Sequence, residues 1–111
     1  MKNIKIIFAL VFTGIFSSAM ASSDTVKIKT SAQCEDCKER IENKLNFTKG
    51  IKNAVLDIKT KEVTVVYDLQ KINPDKIRTA ISKVGYDADG VTADPKAYNK
   101  LPMCCRKGGH D

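Results

Sequence analysis

Between Thr25 and Leu45 the spacing of apolar residues changes, and two cysteines sit across the change. Val26 and Ile28 alternate with Lys27 and Lys29, the period of a strand with one buried face. Cys37, Ile41 and Leu45 then recur at every fourth position, the stripe of an amphipathic helix predicted over residues 36–45. Cys34 and Cys37 therefore fall at a strand-to-helix junction, one on the loop and one in the first turn, where both thiols can point the same way. A helix N-terminus adds partial positive charge and free backbone N–H groups, which favour thiolate over thiol. Thiolate binds soft metal ions and also attacks disulfides. The junction admits three readings: a metal site, a redox site or a structural disulfide.

The alternation of periods continues. Ala54, Leu56 and Ile58 alternate in a second strand, and Val63, Val65 and Tyr67 in a third, with a gap short enough for a hairpin. Phe47 is expected to pack just beyond the end of the first helix. Asn73-Pro74 starts a second helix, with Asn as N-cap and Pro at the first helical position. Ile77, Ala80, Ile81 and Val84 form its stripe, and Gly85 stops it. Residues 86–92 suggest a short last strand. The order β-α-β-β-α-β is that of a split βαβ sandwich: one antiparallel four-stranded sheet with both helices on one face, an α+β fold. In that topology the fourth strand lies beside the first, so Tyr86 should neighbour Cys34 and Cys37 and shield them.

Residues 1–21 stand outside this pattern. Lys2 and Lys5 precede an uncharged, largely apolar run, and Ala19-Met20-Ala21 has the small-x-small form of a cleavage site. The run is short of the roughly 20 residues that span a bilayer. Residues 1–21 read as an export signal, with an uncleaved anchor as the alternative, and a periplasmic location is expected. Residues 22–92 are then one small domain and residues 93–111 a cysteine-containing tail. The net charge is +6, with lysines alternating with acids along the chain. Dispersed charge and few, unclustered aromatics argue against nucleic-acid binding. A monomer is expected, with no stable membrane insertion once the signal is removed.

Export permits disulfides, and the chain has four cysteines. Adjacent Cys104 and Cys105 rarely bridge each other without strain, whereas cross-bridging to Cys34 and Cys37 stays open. Asp94-Pro95 can start a last helical turn through Tyr98 and Leu101, which Pro102 ends. The glycines and charges after it suggest a mobile tail. Cys104 and Cys105, with His110, form a candidate second soft-ligand cluster. From Thr92 the chain has enough reach to close over Cys34 and Cys37 if a short helix docks along the domain, and an open arrangement would hold a second ion.

These residues resemble the heavy-metal-associated domain family, which includes small copper chaperones, the metal-binding modules of metal-pumping ATPases and the periplasmic mercury-binding protein. The resemblance covers residues 25–92. It rests on Cys34-Glu35-Asp36-Cys37, Gly50-Ile51-Lys52-Asn53-Ala54-Val55, Val63-Thr64-Val65-Val66-Tyr67-Asp68 and Val84-Gly85-Tyr86-Asp87-Ala88. It implies a ferredoxin-like fold in which Cys34 and Cys37 bind one metal ion and pass it on by ligand exchange. The partner would be a metal-transporting membrane protein or another metal-binding domain. Two departures bear on the site. The family's Gly-Met-x before the first cysteine is replaced by Ser31-Ala32-Gln33, which implies a looser loop. Glu35 and Asp36 between the cysteines should raise the thiol pKa values. Monovalent copper gains less from their charge than a divalent ion does, so Zn(II) and Cd(II) stand beside Cu(I) and Hg(II).

A thiol–disulfide oxidoreductase is the rival reading, since it also places Cys-x-x-Cys at a helix start. The acidic spacer opposes the low-pKa thiol it needs, and no catalytic residue is expected. The mature chain should begin at Ser22, and intact-mass measurement of the exported protein checks this: a retained 1–21 segment would place the protein at the membrane surface.

Overall fold

Alternation at Val26 and Ile28 builds β1 (Ser23–Lys29), and the fourfold stripe builds α1 (Glu35–Asn46). They belong to a computed structural model describing residues 22–107, so the expected export segment and His110 lie outside the described residues. After α1 come β2 (Ile51–Asp57), β3 (Glu62–Asp68) and α2 (Pro74–Val84). The three strands form one antiparallel sheet in the order β1-β3-β2. Val65 faces Val26 on one side and Ala54 on the other, and Val63 faces Ile28 and Leu56. The stripes of both helices close over this face: Cys37, Ile41, Leu45, Ile77 and Ile81 are fully buried in the same cluster as the strand residues. Each such aliphatic side chain contributes about 1.5–3 kcal/mol on burial. Aliphatic side chains therefore supply most of the core, with Cys37 packed among them.

Local signals end the helices. The Asn73 side chain accepts from Lys76 N at 2.9 Å, Pro74 opens the first turn, and Gly85 closes α2 at φ 111°. A Cβ at Gly85 would meet the Ala97 carbonyl at 3.1 Å and Leu101 Cδ1 at 3.2 Å. Glycine is thus needed there for both conformation and clearance.

The edge strand β2 is guarded by α1. Asn46 Oδ1 accepts from Ala54 N at 3.0 Å and its amide donates to Ala54 O at 3.3 Å, while Glu42 accepts from Leu56 N at 2.7 Å. Side chains thereby occupy hydrogen-bonding groups that an edge would otherwise offer to another strand. Phe47 does not pack beyond the end of the helix as expected: it is the C-cap of α1 and is 87 % exposed, while Asn46 is the residue that faces β2.

The fourth strand expected over residues 86–92 does not form; the sheet has three strands. Ala88 makes a single bridge to Thr30 and a second to Val91, so the chain reverses at once in a tight turn. Asp89, at φ 51°, takes over the pairing. Its N–H donates to Lys29 O at 2.8 Å, and its carboxylate accepts from Lys29 N at 2.9 Å and from Arg78 Nε at 2.8 Å. One aspartate with a left-handed backbone does here what a strand would do, and Asp and Asn tolerate that conformation better than branched residues.

The chain after Ala93 is not left loose. Asp94 caps α3 (Pro95–Asn99) by accepting from Ala97 N, and a 3₁₀ turn follows at Met103–Cys105. Leu101 and Cys105 are buried in the main core cluster. Among the described residues no helix is long and apolar enough to cross a membrane.

Replacing Asp89 by Ala should lower stability by about 1 kcal/mol, the loss of a hydrogen-bonded cap rather than of a screened surface ion pair. Partial burial works against the Asp89 charge, but Arg78 and the Lys29 N–H outweigh it and hold the carboxyl below its ordinary range. The stabilisation is therefore full above the unfolded carboxyl pKa of about 3.9 and is lost as pH falls through the folded value. Urea midpoints of wild type and Asp89→Ala should differ at neutral pH and converge in acid.

Candidate metal centre

The loop that leaves β1 is short and tied at every step. Thr30 N and Oγ1 both donate to Lys61 O, at 2.8 and 2.9 Å, and Thr30 Oγ1 accepts from Ala32 N at 3.1 Å. Ser31 Oγ accepts from Asp87 N at 2.9 Å. Ala32 is buried, and the Gln33 amide donates to Arg106 O at 2.7 Å. The looser loop expected from the absence of a buried methionine is thus not observed: hydrogen bonds to the hairpin, to the Asp87 segment and to the tail hold it instead.

Cys34 is the N-cap residue of α1 and Cys37 lies in its first turn, with Lys38 N donating to Cys34 O at 3.0 Å. Their sulfurs are 3.4 Å apart. Cys37 is fully buried and Cys34 partly so. The tail brings two more thiols to the same place. Cys105 Sγ lies 4.0 Å from Cys34 Sγ, and Cys104 Sγ lies 3.9 Å from Cys105 Sγ. The sulfurs of Cys34, Cys104 and Cys105 are all within 4.8 Å of one another. All four cysteines are free thiols. Met103 is 67 % exposed and points away from a ligand role, and His110 lies outside the described residues.

The thiols differ in acidity. Burial opposes ionisation of Cys37, but the Gln33 backbone and the Tyr86 hydroxyl favour its thiolate and hold it below the ordinary thiol range. Burial pushes Cys34 up and pushes Cys105 well up. The expected rise occurs at Cys34, with burial as its main cause, but not at Cys37, where the expectation is corrected. Asp36 turns to Arg40, which donates to it at 3.1 Å, and accepts from Cys105 Sγ at 3.3 Å. Its charge is neutralised on the helix face and does not oppose the Cys37 thiolate.

Tyr86 is completely buried beside these sulfurs. Its hydroxyl has no hydrogen-bond partner of ordinary geometry among the described residues, its polar neighbours being the Cys37 and Cys105 sulfurs. Burial raises its pKa far above the ordinary phenol value, so it stays a neutral O–H donor.

Spacing alone points to Asp36–Arg40, an i,i+4 pair. No local signal points to the other contacts that assemble the centre. Lys107 Nζ reaches Asp87 at 2.7 Å, Lys107 N donates to Tyr98 OH at 2.8 Å, and Arg106 donates to the carbonyl of Leu101. The first of these joins the tail to the segment after α2, and the other two fold the tail on itself.

The matches to known proteins agree with this geometry. Residues 25–87 match the heavy-metal-associated domain, more than half of the chain, and the chain belongs to that family. A copper-exporting P-type ATPase of Staphylococcus aureus (strain JH9) is 38 % identical over 66 residues, 59 % of this chain but 8 % of the ATPase. The chain thus spans a small fraction of the curated relatives it matches. Two solved structures are alike in fold. The CopZ metallochaperone has TM-score 0.57 and 27 % identity, covering 59 % of this chain and 98 % of that one. The N-terminal domain of a potential copper-translocating P-type ATPase from Bacillus subtilis, in the Cu(I)-loaded state, has TM-score 0.57 and 26 % identity, covering 60 % and 85 %.

An unpartnered buried hydroxyl makes a sharp expectation for Tyr86→Phe. Because removing an unsatisfied polar atom is neutral or favourable, the metal-free protein should melt at the wild-type temperature or be stabilised by up to about 1 kcal/mol. Thermal unfolding of both reduced proteins measures it, and a loss of stability would show that the hydroxyl is satisfied.

Proposed function

We propose that the protein is an exported carrier of one soft metal ion, held by Cys34 and Cys37 and handed on by thiolate exchange.

 The ion is cargo rather than a resident cofactor. The observation that carries this reading is the paired arrangement of Cys34 and Cys37. Their sulfurs lie 3.4 Å apart at the N-terminus of α1, with Cys37 favoured as thiolate and Cys34 partly open to solvent. A thiol shifted toward its thiolate form is the better ligand for a soft ion, and a second thiol within reach completes a two-sulfur site.

Membership of the heavy-metal-associated family supports metal binding without catalysis. The copper named for the ATPase relatives favours Cu(I) as the cargo, with Hg(II), Zn(II) and Cd(II) as soft ions the same donors accept. The partner is a metal-transporting membrane protein or another metal-binding domain. Transfer proceeds as a partner thiolate bonds to the ion while Cys34 or Cys37 releases it, so the ion is never free in solution. The apolar run and small-x-small site in residues 1–21 support export to the periplasm.

The reduced protein should take up one Cu(I) tightly under anaerobic competition with a chelator. A Cys34→Ser, Cys37→Ser double variant should bind it at least about a hundredfold more weakly, beyond the 10–100-fold seen for losing only a ligand's supporting contacts. Its far-ultraviolet circular dichroism should stay that of the wild type, because the core aliphatics carry the fold. Undiminished binding by the folded double variant would overturn the assignment.

A further inference from the structure

The two thiols of the tail are not needed for a two-sulfur site, yet they are built into the domain against it. Cys105 is 2 % exposed and belongs to the core cluster. Its neighbours fix it from several directions. Gln33, one residue before Cys34, holds the carbonyl of Arg106, one residue after Cys105, at 2.7 Å. Leu101 is buried against the clearance left by Gly85, and Lys107 is paired with Asp87 beside the loop.

The spacing of the sulfurs is that of metal ligands. With zinc–sulfur bonds of about 2.3 Å, neighbouring sulfurs are about 3.8 Å apart in a tetrahedral site, about 4.0 Å in a trigonal one and about 4.6 Å in a linear one. The observed separations are 3.4 Å for Cys34–Cys37, 4.0 Å for Cys34–Cys105 and 3.9 Å for Cys104–Cys105. They suit three or four sulfurs around one ion better than two in line.

Tyr86 supplies an independent sign. Its buried hydroxyl lacks a partner of ordinary geometry and sits beside the Cys37 and Cys105 sulfurs. A phenol donor without an acceptor is unfavourable in the interior. A metal-bound thiolate is a stronger acceptor than a neutral thiol, so occupation of the centre would satisfy it.

We propose that Cys104 and Cys105 complete a closed centre with Cys34 and Cys37, which holds one divalent thiophilic ion such as Zn(II) or Cd(II) through three or four sulfurs. This deepens the carrier reading and rests on it. Cys34, Cys104 and Cys105 form the mutually close set, and Cys37 joins through Cys34. Each thiol that binds releases its proton to solvent, and no electron is transferred. Thiolates from two distant segments set the preference: a two-coordinate ion uses Cys34 and Cys37 and leaves the tail as it is, whereas an ion of higher coordination recruits it.

The test uses the full mature chain, reduced and anaerobic, with one equivalent of Cd(II). The comparison is between wild type, Cys104→Ser, Cys105→Ser and the Cys104→Ser, Cys105→Ser double variant. X-ray absorption should give three or four sulfurs in wild type and two in the double variant, and cadmium affinity should fall at least about a hundredfold. Alkylation followed by mass spectrometry gives a second count, with at least three thiols protected per ion in wild type. Cu(I) affinity should fall by less than about tenfold, so the ratio of the two affinities also reports the tail. Two sulfurs in both proteins, with only two thiols protected, would overturn the closed centre and leave the carrier reading standing. Absence of any tight Cd(II) or Cu(I) binding by wild type would overturn both.

Discussion

A sheet edge leaves a row of backbone groups without strand partners, and the cysteine loop depends on what covers them at the end of β1. Lys29 finds its partners in the backbone and side chain of Asp89, and Thr30 bridges to Ala88. That pairing draws the segment after α2 against the loop, so that Asp87 N meets Ser31 Oγ. It also seats Tyr86 under the first turn of α1. A longer fourth strand would have covered the same edge. The tight turn at Ala88–Val91 does it in fewer residues and returns the chain to Ser82, whose hydroxyl donates to Thr92 O and whose carbonyl accepts from Asp94 N. From there α3 starts along α2 and the tail is aimed at the cysteines.

Electrostatics around the thiols follow from the same packing. The N-terminus of α1 favours one thiolate, and the buried phenol beside it favours the same one. Asp36 would oppose it if its carboxylate were free, but Arg40 one turn on and the Cys105 thiol occupy it. Three of the thiols are therefore unequal: the surroundings shift Cys37 toward thiolate, whereas burial shifts Cys34 and Cys105 the other way.

Most of the frame was legible in the sequence because its signals are local. Period two at Val26–Ile28 and Val63–Val65, period near four at Cys37–Leu45, and the Asn73-Pro74 start with the Gly85 stop all act within one element. The fourth strand was not legible, because Tyr86 and Ala88 alternate as a strand would while Asp89 breaks it with a left-handed backbone. Phe47 misled for a related reason: hydrophobicity alone does not say which way a helix-end residue faces, and here it is Asn46 that turns to β2 while Phe47 is exposed. At the site, the helix-start position of Cys34 and Cys37 was plain. The hold on the tail by Gln33–Arg106 and Asp87–Lys107 was not, since those contacts span 73 residues in the first case and have no periodic signature.

The thiol cluster joins positions 70 and 71 apart in the chain. No piece of the polypeptide that stops before Cys105 contains it, so during synthesis the full arrangement cannot exist until Cys105 has emerged. The first cysteine pair is made while its companions are still to come. In order of appearance, the domain is assembled first and its thiols are brought together last, which makes the four-thiol cluster depend on the segment that follows the domain.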